Sequence, residues 1–360
     1  MAGIGIFWAT ISLVAFLLIS TADMMGFFKP KNQFDVNGKT VVITGGSQGM
    51  GRGLAKLLAQ KGANVVIVAR DQKKLDAALE YISSAAKGSA KQRFHAISAD
   101  VTKSEENIRI ISEVTAWNNG NPPDVVWANA GSAHPELFID TPVELLRSQM
   151  DINYFAAAFL GHATLRSWLK PTTVNQTEES AAAMPPRHFI ITSSTVCYIG
   201  LAGYGPYAPA KSALRSLADI LRSEVRVYNG YRSANPSKGP ATDVEIHCVT
   251  PGTIFSPGLE NENKTKPAVT FILEESDPRQ SEDEVAAAAI KGLERGGYLI
   301  TTQWLGALLR AGMMGGVPRN AAFKDTMLAL VTPFIWLFMQ ADLEGKVLKW
   351  GEKNQVKLPQ

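Results

Sequence analysis

The chain has 360 residues, 46% of them hydrophobic and 19% charged, with a formal net charge of +3. That length suffices for one large α/β domain with appendages, and the near-neutral balance excludes a broad nucleic-acid-binding surface. Only two cysteines are present, Cys197 and Cys248, which excludes a disulfide scaffold and fits a reducing compartment.

Both cysteines sit in apolar surroundings, which predicts buried, inert thiols. The five histidines are scattered without metal-ligand spacing, so no metal site is expected. Residues 4–20 form an uncharged apolar run at the lower edge of bilayer-spanning length. A cleaved signal peptide is the rival reading, but the run lacks a basic start and a clear small-residue cleavage site. An uncleaved anchor over residues 1–24 is therefore expected, with a linker over 25–38 after it. Lys29 and Lys31 predict that the domain after the linker faces the cytosol. The sequons at Asn175 and Asn263 are expected to stay unglycosylated there.

Residues 39–44 read as a short β-branched strand. Gly45-Gly46-Ser47-Gln48-Gly49-Met50-Gly51 then turns tightly and opens a helix to about Lys61, and residues 64–69 form a second strand. This is a βαβ unit with glycines where backbone must approach a phosphate and where helix must pack on strand. Further strands are predicted at 93–98, 124–128, 188–192, 244–250 and 298–301, with helices at 104–118, 143–169, 207–228 and 282–295. The alternation predicts a Rossmann-type doubly wound parallel sheet over residues 39–302, covered by helices on both faces. Residues 171–186 and 230–243, rich in Ser, Thr, Asn and Pro, read as surface loops.

Beyond the last strand the composition turns apolar at 304–309 and again at 327–339, where Pro333 interrupts the run. Lys346, Lys349 and Lys353 come after it. The second run is short for a clean span. Residues 303–360 are read as a membrane-associated extension: interfacial, re-entrant, a second anchor, or packed against a partner.

The chemistry centres on Tyr207 and Lys211, four residues apart and so on one face of a helix. A free phenol titrates near ~10, and a neighbouring ammonium is expected to bring it toward the working range. Ser194 comes just after the strand at 188–192 and can aim its hydroxyl at the tyrosine. Ser193 competes for that role, and spacing favours Ser194. In the glycine loop, the backbone N–H groups of Ser47, Gln48 and Gly49 and the helix N-terminus favour a pyrophosphate. At the end of the second strand, where NAD enzymes place an acid, stand Ala69 and Arg70, with Lys74 one helical turn on. A guanidinium pairs with a 2′-phosphate that a carboxylate would repel, so NADPH is expected over NADH.

Thr44-Gly45-x-x-x-Gly49-x-Gly51, Asn129-Ala130-Gly131, Asn153, Ser194, Tyr207-x-x-x-Lys211 and Pro251-Gly252 together resemble the short-chain dehydrogenase/reductase family. The resemblance implies that Ser194 stabilises a ketone oxygen and Tyr207 supplies its proton. It implies that Lys211 also binds the nicotinamide ribose and that Asn153 holds a water relaying protons to it. Asp100 and Val101 are expected to flank the adenine, Asn129 and Gly131 to run along the cofactor, and Pro251, Gly252 and Ile254 to pack on the nicotinamide. A homodimer is the family analogy.

Residues 255–267, FSPGLENENKTKP, are similar to the fungal branch that reduces the long-chain sphingoid ketone 3-dehydrosphinganine to sphinganine with NADPH. Trp127-Ala128 before Asn129, and Pro206 beside Tyr207, depart from many relatives without removing a reacting group. This branch implies an endoplasmic-reticulum membrane location, contact with membrane lipid, and a catalytic domain facing the cytosol. Phe255, Leu259, Val269, Phe271 and Ile272 either contact the alkyl chain or pack on the sheet. Competing readings are a membrane-bound reductase of a steroid or very-long-chain 3-ketoacyl-CoA, and a non-catalytic cofactor-binding scaffold.

Overall fold

The computed structural model describes residues 32–86, 92–171 and 184–354. The expected anchor over 1–24 and the sequon at Asn175 lie outside the described residues. Seven strands form one parallel sheet in the order β3-β2-β1-β4-β5-β6-β7. They are β1 (Thr40–Thr44), β2 (Asn64–Ala69), β3 (Phe94–Ser98), β4 (Val125–Ala128), β5 (Arg187–Thr192), β6 (Val244–Thr250) and β7 (Leu299–Thr301). The chain winds outward from β1 to β3 and then reverses direction at β4. The crevice at the carboxyl ends of β1 and β4 is therefore the topological switch point, where folds of this kind bind ligands.

Alternate residues of each strand feed opposite cores. Val41 and Ile43 of β1 join one cluster, Val42 the other. On the first face α1 (Gly49–Gln60), α2 (Gln72–Ser84) and, from near the chain's end, Glu282–Glu294 bury Leu54, Leu58, Leu75, Ile82, Ile290 and Leu293. On the second face α3 (Ser104–Trp117), Ala156–Trp168 and Ala208–Ala234 bury Ile110, Val114, Leu160, Trp168 and Leu214. Burial on both faces is why these strands read as continuous apolar runs rather than as alternating ones. Each fully buried large side chain contributes about 1.5–3 kcal/mol.

The single helix expected over 143–169 is divided. α4 (Val143–Met150) passes through a wider π-turn, Asp151–Phe155, into α5 (Ala156–Trp168). Asn153 sits in that turn, which frees its side chain to bond outside the helix; such turns recur at functional sites. α6 (Ala208–Ala234) begins one residue after Tyr207, with Pro209 in its first turn. It outruns its expected end at 228 because Asn229 bonds both backbone groups of Val244 and Arg232 pairs with Asp243.

After β6 come two short helices, α7 (Pro257–Glu262) and α8 (Ala268–Leu273), then α9 (Glu282–Glu294), whose Ser281–Glu284 capping box fixes its start. The extension forms α10 (Trp304–Gly312) and a long α11 (Ala322–Lys353). It does not stand apart from the domain: α11 packs on both α10 and α8. The buried Arg310–Asp325 ion pair ties its start to α10 at 2.5 Å.

β5 and β6 are also joined by two buried imidazoles. His188 Nδ1 lies 3.0 Å from His247 Nε2, and His247 Nδ1 donates to the Gly297 carbonyl at 2.8 Å. Burial pulls His188 down to about 3 and His247 to about 4. Their folded values lie below the unfolded one, so the unfolded chain takes up protons first as pH falls. The stability contributed by the neutral pair is complete above about pH 6.5 and is lost progressively toward pH 4 and below. The loss is on the order of a few kcal/mol. Thermal melts from pH 7 to 4 should show a falling Tm. His247→Gln, which keeps a donor and an acceptor but cannot titrate, should flatten that fall; an unchanged slope would refute the assignment.

Candidate active site

The carboxyl ends of β1, β2, β4, β5 and β6 open into one elongated cleft of about 620 Å³. Its first third is built by the β1–α1 turn. Gly45 and Gly49 both take positive φ, 68° and 58°, which glycine adopts without steric cost. Gly45, Ser47, Gln48, Gly49 and Met50 line the cleft, as do Arg70 and Lys74 at the end of β2. Gly51 does not line it. Its role is packing: a Cβ there would lie 2.2 Å from the Gly45 carbonyl oxygen, so only glycine lets α1 close under the loop. The Gly49 N–H, expected to face a phosphate, donates to the Glu282 carboxylate at 2.8 Å, and Glu282 is held in turn by Arg52.

Val101 lines the cleft, whereas Asp100 is not in its wall. The Asp100 carboxylate instead closes the turn after β3, accepting from the Thr102 N–H and hydroxyl. At the ends of β4 and β5 one relay fixes the next contacts. The Trp127 indole donates to the Thr192 hydroxyl at 2.9 Å, and that hydroxyl donates to Asn129 Oδ1 at 3.1 Å. The Asn129 N–H meets Thr44 Oγ1 at 3.1 Å. Asn129 and Gly131 thus line the cleft beside β1, facing Pro251, Gly252 and Ile254 beyond β6.

Ser194, Tyr207 and Lys211 meet in the middle. The Ser194 hydroxyl, which accepts from the Val196 N–H at 3.4 Å, lies near enough to the Tyr207 phenol to favour its anion. The Ser193 hydroxyl is spent elsewhere, donating to the Lys211 carbonyl at 2.7 Å, so it holds α6 against β5. Lys211 is 3% exposed; its Nζ donates to the Thr192 carbonyl at 3.0 Å and lies 5.6 Å from the centre of the Tyr207 ring. Burial pulls this ammonium down to about 8. Burial also pushes the Tyr207 phenol above its ordinary range; the Glu262 charge adds to that, and the nearby Ser194 hydroxyl opposes it. The Lys211 charge lies over the ring face, and burial of the phenol works against the downward shift expected from it.

Asn153 is fully buried and outside the cleft wall. Its amide donates to the Ser132 carbonyl at 2.8 Å and the Gln149 carbonyl at 3.0 Å, while its Oδ1 accepts from the Ser132 N–H at 3.1 Å. It therefore anchors the loop after β4 behind Lys211 rather than facing the cleft. The two thiols are buried and free; burial pushes Cys197 up to about 11 and Cys248 well up, so neither is a nucleophile.

The far third of the cleft holds residues that spacing did not single out. Tyr204, Glu262, Glu274 and Asp277 line it, together with Leu305, Leu309, Met339 and Leu343. The leucines of α10 and the Met339–Leu343 pair of α11 each recur at four-residue spacing, a signal of one helix face that the sequence did carry. Nothing in the sequence marks the two glutamates out from a solvated surface. Of the five apolar residues considered for an alkyl chain, Leu259 lines the cleft. Val269 is buried in the packing, and Phe255, Phe271 and Ile272 stay exposed.

A family model described as short chain dehydrogenase matches residues 39–267. The chain belongs to the short-chain dehydrogenase family. Among curated relatives, 3-ketodihydrosphingosine reductase ksrA of Aspergillus fumigatus is 48% identical over 345 residues, 96% of this chain and 92% of the relative. 3-Ketodihydrosphingosine reductase gsl-3 of Neurospora crassa is 42% identical over 331 residues, 92% of this chain and 87% of the relative. Among solved structures, a short chain dehydrogenase from Burkholderia cenocepacia J2315 in complex with NADP superposes with a TM-score of 0.56 at 18% identity. It covers 79% of this chain and 95% of its own, and it bears on the fold alone.

In this member of the short-chain dehydrogenase family the glycine packed against the ammonium is Gly131. A Cβ there would lie 2.7 Å from Asn153 Oδ1 and 3.2 Å from Lys211 Nζ. Gly131→Ala should displace the ammonium and lower kcat/KM at least tenfold with a loss of only a few degrees in Tm. Steady-state kinetics beside a thermal melt checks this, and wild-type kinetics would refute it.

Proposed function

We propose that this chain reduces 3-ketodihydrosphingosine, a long-chain amino ketone, to the corresponding alcohol with NADPH. One observation carries the reading: a cleft that runs from a cationic end at Arg70 and Lys74, past Ser194, Tyr207 and Lys211, to an apolar end built from α10 and α11. The names of relatives up to 48% identical over nearly the whole chain support the same substrate. Arg70 and Lys74 suit a 2′-phosphate by charge, and Ala69 ends β2 where an acid would read a ribose 2′-hydroxyl. The bound reduced dinucleotide supplies a hydride to the carbonyl carbon. Ser194 then stabilises the negative charge that develops on the oxygen, and Tyr207 gives that oxygen its proton. Lys211, held by the Thr192 carbonyl, keeps the charge balance as the phenolate forms.

Membrane contact belongs to the same reading. α11 is the one helix among the described residues long and apolar enough to cross a membrane, and the apolar part of it is 6% buried. Leu330, Val331, Phe334, Leu337 and Phe338 form an exposed stripe, while Thr332 faces inward with no exposure. Because its other side packs on α8 and α10, a helix lying in the membrane surface fits better than one crossing the bilayer. An N-terminal anchor over 1–24, a catalytic domain over 39–302, an extension over 303–360 and an endoplasmic-reticulum location facing the cytosol complete the reading. Pairing of two copies is carried over from the family alone.

The test is turnover by purified protein in detergent with NADPH and three ketones: sphingoid, steroid and 3-ketoacyl-CoA. The sphingoid ketone should be reduced, and activity on only the other two would overturn the substrate. Tyr207→Phe should abolish turnover and leave NADPH affinity within a few-fold. Arg70→Ala should raise the KM for NADPH at least tenfold with little change for NADH.

A further inference from the structure

Beside Tyr207 the cleft wall carries a charge that the reduction step does not use. Tyr204 packs with its ring centre 6.0 Å from that of Tyr207. Its hydroxyl donates to Glu262 Oε1 at 2.5 Å and is shared with Glu274. Lys266 lies beneath both carboxylates, 2.9 Å from Glu262 and 2.6 Å from Glu274, with its own side chain 1% exposed. Both glutamates line the cleft and Lys266 does not. Two carboxylates share one ammonium, so the cluster keeps one surplus negative charge, and its open side is the cleft. Asp277, a little farther along the same wall, is held only by neutral partners, the Thr253 hydroxyl and the Gln303 amide at 3.2 Å. The cleft wall beside the reacting groups is therefore anionic, opposite in sign to the Arg70–Lys74 end.

A surplus carboxylate here is costly. Proton donation by Tyr207 leaves a phenolate, and a negative neighbour opposes that charge in a site of low dielectric. The Glu262 charge does reach the Tyr207 phenol and works in that direction. The cost is removed when the ligand itself brings a cation to the carboxylates. The proposed substrate has one: an amine on the carbon next to its ketone, protonated at neutral pH, one bond from the carbon that takes the hydride.

We infer that the Glu262–Glu274 pair receives the substrate's ammonium, so that this wall selects amino ketones over neutral long-chain ketones. The inference rests on the functional reading above and deepens it. Binding the ammonium pairs the surplus charge and sets the neighbouring carbonyl against Ser194 and Tyr207. A neutral ketone leaves the carboxylate unpaired beside the forming phenolate, so it is penalised in kcat as well as in KM. Glu262 and Glu274 are binding residues here, and the proton donor remains Tyr207.

The experiment compares 3-ketodihydrosphingosine with its deaminated 1-hydroxy-3-ketone and its N-acetyl derivative, in wild type and Glu262→Gln. The variant leaves Lys266 paired one-to-one with Glu274, so the fold keeps a neutral buried pair. Wild type should prefer the amino ketone at least tenfold in kcat/KM over both neutral ketones. Glu262→Gln should raise the KM of the amino ketone about tenfold and keep or raise kcat for the deaminated ketone, collapsing the preference. Glu274→Gln should act in the same direction. Equal handling of the three ketones by wild type, or an equal loss on all of them in Glu262→Gln, overturns the inference while the functional reading stands. No turnover of any of the three overturns both. Binding of the saturated amino diol product against its deaminated diol, measured by calorimetry, gives a second readout independent of turnover. The amine should contribute at least tenfold in wild type and lose that advantage in Glu262→Gln.

Discussion

The site depends on keeping one ammonium charged inside the protein. Removing an amine from water costs several kcal/mol unless its protons find acceptors. Lys211 meets that cost with the Thr192 carbonyl at 3.0 Å and the face of the Tyr207 ring. The carbonyl is available because Thr192 ends β5, where backbone groups leave the sheet. The Thr192 hydroxyl is engaged at the same time by the Trp127 indole and by Asn129. A single threonine therefore couples the register of β4 against β5 to the positions of the lysine and of Asn129. The π-turn at Asp151–Phe155 completes the arrangement by bringing Asn153 behind Gly131, which shapes the small space the ammonium occupies.

The chemistry at Tyr207 is accordingly a balance of opposing effects rather than the work of one neighbour. Desolvation and the Glu262 charge hold the proton on the phenol, while the Ser194 hydroxyl stabilises the anion. A proton donor held above its ordinary range is a poor acid until something positive is added. On the inference drawn above, a ligand that supplies the missing charge restores the donor. That is a route to specificity through the transition state rather than through ground-state affinity alone.

Much of this was legible in the sequence, and the limits are physical. All seven strands declared themselves because a parallel sheet buried on both faces needs short runs of β-branched residues, and the glycine turn after β1 needs residues that accept positive φ. Ser194, Tyr207 and Lys211 could be paired because their relation is local to one strand end and one helix. What the motifs left open is how each residue is held. Gly51 packs on the Gly45 carbonyl, Asp100 closes its own turn on Thr102, and Asn153 braces the loop after β4 behind Lys211. The Gly49 N–H meets Glu282, a residue more than two hundred positions away. The Tyr204–Glu262–Lys266–Glu274 cluster was invisible for the same reason. Its charges resemble a solvated surface until the segment after β6 folds over the cleft.

The extension explains why specificity should reside at the polar end of the cleft. Each methylene moved from water into protein contributes about 0.8 kcal/mol, which would let an alkyl chain dominate binding from solution. A chain already in a bilayer gains almost nothing by that transfer, because lipid and a leucine-lined wall are equally apolar. On the proposed reading, with the outer stripe of α11 against lipid and its inner Met339 and Leu343 on the cleft, the alkyl chain would pass between equivalent surroundings along one helix. The net free energy that separates one ligand from another must then come from the head: its ketone, its hydroxyl and its charge. The Tyr204–Glu262–Lys266–Glu274 cluster lies there, beside Tyr207, whereas the leucines of α10 offer only apolar contact.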